Sequence, residues 1–177
     1  DWEHLKSINP DIIGWIEIEG TKINYPILQD NSNLYYLKHT YNRKYSSSGS
    51  IFITNENPFI DKETVIYGHN MKNGSMFSSL GKYLDKNFLY SHQSFKIYTP
   101  DCDYKATIFS AYSIGFDIES NNIKQLGFDE RLEYYKKASK HSIEDIEIPE
   151  KIIKLSTCPY INAKPTPTDQ RYYIIDR

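Results

Sequence analysis

Short runs of alternating apolar and polar residues recur along this chain, each closed by glycine, proline or a polar cluster. That rhythm constrains the fold more than any other feature, because a period of two marks half-buried strands. Residues 14–20 form one such run. Residues 23–28 form a second, with Pro26 pointing to a sheet edge because proline donates nothing to a ladder. Further strands are expected at 51–53, 64–67, 94–99, 104–113, 151–157 and 171–175. Helical spacing is sparser. Residues 2–13 read as a short helix interrupted near Asn9-Pro10, residues 33–41 as a helical turn, and 76–84 as a helix carrying Met76, Phe77, Leu80 and Leu84. The one long helix is expected at 128–139, with Asp129 as its N-cap. Eight short strands with few inserted helices fit a closed or nearly closed antiparallel barrel better than alternating β-α units.

A chain of 177 residues suits one domain and buries a core without staples. The expected division is a single domain over 1–177, with 1–13 as an N-terminal helical segment. The formal net charge is −2, and the longest basic run is Lys136-Lys137, so neither nucleic acid nor an anionic membrane surface is an expected partner. Apolar runs are too short to span a bilayer, and no signal peptide is recognisable. The sequence opens at Asp1 rather than Met. The expectation is therefore that an N-terminal segment precedes it in the native protein. Two cysteines, Cys102 and Cys158, make no disulfide framework. His4, His39, His92 and His141 are scattered without ligand spacing, so no metal or other cofactor is expected.

Chemistry concentrates at strand ends. A catalytic thiol needs a reachable sulfur, a proton carrier and a group that holds the oxyanion. Cys158 follows the apolar strand and the small polar pair Ser156-Thr157. His69 closes the strand Val65-Ile66-Tyr67 just after Gly68, and Arg171 opens the strand that follows Cys158. Taken singly, a cysteine, a histidine or an arginine in these places is ordinary. Together they outline a nucleophile, an acid–base group and an oxyanion partner.

The wording around them is more specific. Tyr67-Gly68-His69-Asn70-Met71 with Met76-Phe77, then Leu155-Ser156-Thr157-Cys158, then Arg171 before an apolar strand, resembles the sortase family. Asn9-Pro10-Asp11-Ile12-Ile13-Gly14-Trp15-Ile16, Tyr25-Pro26-Ile27-Leu28-Gln29 and the long helix before the last two strands are similar to its class B branch. The resemblance covers nearly the whole chain. It implies a mainly β fold, an eight-stranded barrel with an N-terminal helix, and a cysteine transpeptidase held on the outer face of a Gram-positive cell membrane by an N-terminal anchor. It also implies a reaction. Cys158 would cleave a C-terminal sorting signal of secreted proteins after Thr, His69 would carry the proton, and Arg171 would steady the oxyanion. A peptidoglycan precursor or cross-bridge amine would then take the acyl group. A peptidase that uses water, and a sortase that polymerises pilins, need the same residues.

The resemblance further suggests that Asn33 and Leu37, four apart, line the signal groove together with Ser156 and Ile123. Three departures stand out. Lys154 occupies a position where the family often has Thr, and its side chain is expected to face solvent. The interval from Cys158 to Arg171 is long for class B. Pro159 lacks the N–H that the residue after an acyl-transfer nucleophile often gives to the oxyanion, which shifts that burden toward Arg171.

Overall fold

The computed structural model describes residues 1–32, 34–143, 147, 149–158 and 170–176. Its strands are β1 (Ile12–Glu17), β2 (Asn24–Gln29), β3 (Ile51–Ile53), β4 (Glu63–His69), β5 (Ser94–Tyr98), β6 (Asp103–Gly115), β7 (Ile152–Cys158) and β8 (Gln170–Asp176). They close into a barrel in the order β1-β2-β3-β4-β7-β8-β6-β5. The expected count of eight strands is reached only by including the short β3. Seven of these strands have five residues or more, whereas β3 is a three-residue link. It is bounded by the glycine turn at Gly49, where φ is +56°.

The expected antiparallel barrel is in fact mixed. Strand β2 pairs with β3 in parallel, and β4 with β7 in parallel. Parallel neighbours need long crossovers. Here β5, β6, three α-helices and a 3-10 helix separate β4 from β7. Pro26 does not mark an edge either, because β2 lies between β1 and β3. It pairs with Trp15 of β1 and stands one residue outside the β3 ladder, which begins at Ile27.

The N-terminal helix α1 (Trp2–Ile8) is shorter than the spacing suggested. Asn9 turns to extended backbone ahead of Pro10, and β1 starts at Ile12. Proline disfavours helical geometry in the residue before it, which accounts for the stop. Asn9 is buried and useful there: its amide donates to the Tyr36 hydroxyl at 2.7 Å and to the Tyr41 carbonyl at 2.8 Å. The turn expected at 33–41 is a 3-10 turn at Tyr35–Leu37. The spacing at 76–84 resolves as a 3-10 helix, Ser78–Leu84, followed by an unanticipated helix α2 (Lys86–Ser91).

Two helices, not one, fill the crossover before β7. Helix α3 (Phe116–Ile123) runs directly on from β6, and α4 (Phe128–Ala138) follows it. The N-cap of α4 is Gly127 rather than Asp129; the Glu130 carboxylate reaches back to the Gly127 N–H at 2.8 Å.

The core has two layers that matter for the site. Inside the barrel, Ile16, Ile27, Ile53, Ile66, Phe77 and Leu155 are fully buried. Outside it, Leu132 and Tyr135 of α4 pack on Phe109, Tyr112, Ile152 and Ile175 of β6, β7 and β8. Helices α3 and α4 therefore roof the outer face of the sheet beside β7. Among the described residues no helix is long and apolar enough to cross a membrane.

Candidate functional site

The site is built by strand register. Strands β4 and β7 pair residue for residue from Glu63↔Ile152 to His69↔Cys158. His69 and Cys158 are the last residues of their strands and lie level. Strand β8 runs antiparallel to β7, from Ile153↔Asp176 to Ser156↔Tyr173. Carried two residues further, this register sets Cys158 level with Arg171. Arg171 is the second residue of β8 and also pairs with Ile114 of β6. The three residues singled out by sequence thus fall in one row across three adjacent strands.

His69 is held on both sides of its chain. Its own carbonyl accepts from the Phe77 N–H at 2.8 Å. Before it, Gly68 admits no side chain, since a Cβ would lie 2.5 Å from Ile51 and 2.7 Å from the Phe77 ring. His69 is 3% exposed, and its Nε2 sits 2.6 Å from the Leu37 carbonyl oxygen. Burial pushes the imidazole below the ordinary histidine pKa, and the bond to Leu37 opposes that shift in part.

One residue pair back along the same face from this row, Tyr67 lies beside Ser156; two further, Val65 lies beside Lys154. These residues floor a cavity of about 390 Å³ whose far wall is α3 and α4, with Ile123, Glu119 and Arg131. Ser156 and Ile123, both expected to line the groove, therefore share one cavity. Leu37 contributes differently: its main chain meets His69, while its side chain packs near Tyr36, Phe52 and Leu28. Asn33 and Pro159 lie outside the described residues.

Lys154 does not face solvent as expected; it is 3% exposed. Its ammonium lies 2.7 Å from the Glu119 carboxylate, also buried, and 4.7 Å above the Tyr135 ring. Glu119 also accepts from the Tyr112 and Tyr134 hydroxyls, at 2.7 and 2.8 Å. Beside this group, Glu63 accepts from Tyr135 at 2.7 Å and from Arg131 at 3.0 Å. Burial pushes the Lys154 ammonium pKa down, and Glu119 opposes the shift. Burial and the nearby carboxylates push Tyr112 and Tyr135 up, so both stay protonated donors. Sequence reasoning missed this cluster because Glu119 stands on α3, a helix it did not foresee. The available signal was a charged residue inside the apolar run Ile152-Ile153-Lys154-Leu155, since a buried charge needs a partner.

His69 and Cys158 close paired strands of a closed barrel, with Arg171 on the next strand, and make this strand end the candidate site. Comparison with known proteins gives the family. Residues 16–175 match the sortase domain, and the chain belongs to the sortase family, in its class B branch. Sortase B of Listeria monocytogenes is 42% identical over 160 residues. The match takes in 87% of this chain and 65% of that protein, so the chain spans about two thirds of that relative's length. A Clostridium perfringens sortase B structure superposes with a TM-score of 0.85 at 31% identity, over 99% of this chain and 98% of that one. A Staphylococcus aureus sortase B–substrate complex gives 0.84 at 29% identity, over 98% and 82%.

Two outcomes follow. Glu119→Gln leaves the buried Lys154 ammonium without its counter-charge and should cost about 3–5 kcal/mol, whereas a paired Glu119→Gln, Lys154→Met change should recover much of it. Urea unfolding of the three proteins measures this. The second concerns His69. Its folded pKa lies below the unfolded value of about 6.5, so the unfolded chain binds more protons between the two values. Stability in that window must rise with pH, and the contribution is lost as pH falls through the folded pKa. In a Cys158→Ala background, His69→Gln should flatten this rise in the window below the unfolded value of about 6.5, read as urea midpoints.

Proposed function

We propose that this chain is the catalytic domain of a class B cysteine transpeptidase that cuts a sorting signal and passes the acyl group to an amine. The single observation that carries the reading is the pairing of His69 with Cys158 at the ends of β4 and β7, to which the β7–β8 register, continued by two residues, adds Arg171. The sulfur of Cys158, as thiolate, adds to the carbonyl carbon of a Thr in the signal. The carbonyl electrons move to oxygen, and Arg171 balances that charge. The C–N bond then breaks as His69 gives its proton to the leaving amine, which leaves a thioester on Cys158. An acceptor amine attacks the thioester and returns a proton to His69; a new amide forms and the sulfur is released.

The signal peptide lies along the outer face of β4 and β7. Ser156, Ile123 and the cavity floored by Lys154 receive residues upstream of the cleaved bond. Strand rise is about 3.3 Å per residue, so the Lys154 row sits roughly 13 Å from Cys158, the reach of about four extended residues. We assign Asn33 and Leu37 to the signal groove as well. The acceptor is a peptidoglycan precursor or cross-bridge amine, and the enzyme acts at the outer face of the membrane to anchor surface proteins. Support for an amine acceptor comes from a solved sortase B complexed with triglycine, 28% identical with a TM-score of 0.81. Support for a peptide substrate comes from the Staphylococcus aureus complex. The domain is a single unit, consistent with a barrel whose strands come from both halves of the chain.

Incubating sorting-signal peptides with a triglycine amine should yield a new amide, and Cys158→Ala should yield none. Free acid as the sole product would replace transpeptidation with hydrolysis. The oxyanion assignment has its own test. Arg171→Ala should lower kcat by about 10²-fold or more, the scale of losing an oxyanion donor, while Pro159→Ala should change it little. A tolerated Arg171→Ala together with a sharply faster Pro159→Ala would reverse the assignment.

A further inference from the structure

Nucleophile–base pairs usually carry a third group that orients the base. We infer that here the group is a main-chain carbonyl, that of Leu37, and that Gly49 is a positioning residue because it keeps that carbonyl in place. The inference rests on the reading of His69 as the proton carrier.

The Leu37 oxygen, 2.6 Å from Nε2, is the hydrogen-bond partner of the His69 ring among the described residues. A carbonyl oxygen can only accept, so Nε2 carries a hydrogen in the neutral ring as well as in the imidazolium. The other nitrogen, Nδ1, is then the acceptor of the neutral ring. Proton transfer to the leaving amine and from the incoming one runs through Nδ1. The nitrogen bound to Leu37 takes no part in it.

The carbonyl is fixed by short-range geometry on the opposite side of the turn. Asp30 is buried, and its carboxylate accepts from the Ser32 N–H at 3.0 Å and the Tyr36 N–H at 2.8 Å. The Asp30 N–H is itself tied to Ile53 of β3 at 2.8 Å. Ser50 donates its N–H to the Tyr36 carbonyl at 2.9 Å, which ties the turn to the entry of β3. Between these anchors the chain passes under the Tyr36 and Leu37 carbonyls at Gly49. A Cβ at Gly49 would stand 2.5 Å from the Leu37 oxygen and 2.6 Å from the Tyr36 oxygen, and φ there is +56°. Both the contact and the backbone conformation exclude a side chain. A methyl group at Gly49 must displace the carbonyl that holds His69, although Gly49 itself belongs to neither of the strands that carry His69 and Cys158.

The test is nitrogen-15 NMR of the histidine rings in Cys158→Ala protein, above the pH at which His69 protonates. The expected result is a single tautomer of His69 with its hydrogen on Nε2 and that hydrogen protected from solvent exchange. Gly49→Ala should lose the protection and mix the tautomers. In the protein with Cys158 intact, the same change should lower kcat about tenfold or more while KM for the signal peptide stays within a few-fold, since misplacing a catalytic group costs turnover more than binding. A hydrogen on Nδ1, or an unprotected Nε2 hydrogen, in the parent protein overturns the inference even where Gly49→Ala does not fold. So does a folded Gly49→Ala with unchanged kcat and unchanged ring signals. His69→Ala separates the two layers: if it stays active, the catalytic reading fails and the ring assignment stands on its own spectrum.

Discussion

The parallel pairing of β4 with β7 is the constraint on which the rest depends. It sets His69 level with Cys158, and a slip of one residue would turn every side chain of one strand to the opposite face. The register is pinned from inside by Ile66 and Leu155, adjacent in the ladder and both fully buried in the barrel. It is pinned again at Gly68, where Ile51 and Phe77 leave no room for a Cβ. Parallel pairing also forces a long crossover, and the chain uses that crossover. Strands β5 and β6 complete the barrel, while α3 and α4 return over the outer face and wall the cavity beside the strand of Cys158.

That wall is polar where a simple packing argument would make it apolar. Lys154, Ser156 and Cys158 occupy alternate positions of β7, each level with a residue of β4. The Lys154 end is closed by Glu119, two tyrosine hydroxyls and the Tyr135 ring. A buried ion pair contributes little net stability against an apolar replacement, but it fixes geometry, because either partner alone is costly. Glu119 lies mid-way along α3, so its three donors set where α3 sits relative to β7. The groove wall is therefore positioned by charge complementarity, and the barrel beneath it by apolar packing.

How much of this was legible in the sequence follows from which interactions are local. Strand alternation located the strands, and the positions of His69, Cys158 and Arg171 at strand ends could be read from apolar runs and their closing residues. Pairing partners could not. Nothing in residues 63–69 announces a parallel neighbour at 152–158, so an antiparallel barrel was the natural expectation. Pro26 misled for the same reason: a proline one residue outside a ladder looks like an edge until the partner's extent is known. Helix α3 was missed because its burial is concentrated on one acidic residue, Glu119, and not on an apolar stripe. With α3 unseen, Lys154 had no visible counter-charge and was assigned to solvent. Leu37 was placed at the site for its side chain, while its contribution to His69 is made by the main chain, on which side-chain identity is silent.

A neutral orienter has an electrostatic consequence. A carboxylate behind His69 would favour imidazolium but would add a second buried charge to the row. The Leu37 carbonyl orients the ring without adding charge, and burial then favours the neutral ring. Ordinary values at pH 7 leave about 3% of a thiol ionised and about a quarter of an imidazole protonated, and lowering the imidazole pKa reduces the second figure. In the proposed reaction the active pair of thiolate and imidazolium is thus a minor state whose two charges stabilise each other. Arg171, level with Cys158 on the far side, would favour the thiolate before attack and the oxyanion after it. The row is ordered so that the one residue able to become an anion lies between the two able to be cations. The imidazole is buried and can shed its charge, so the row never obliges the barrel to hold a permanent positive charge at His69.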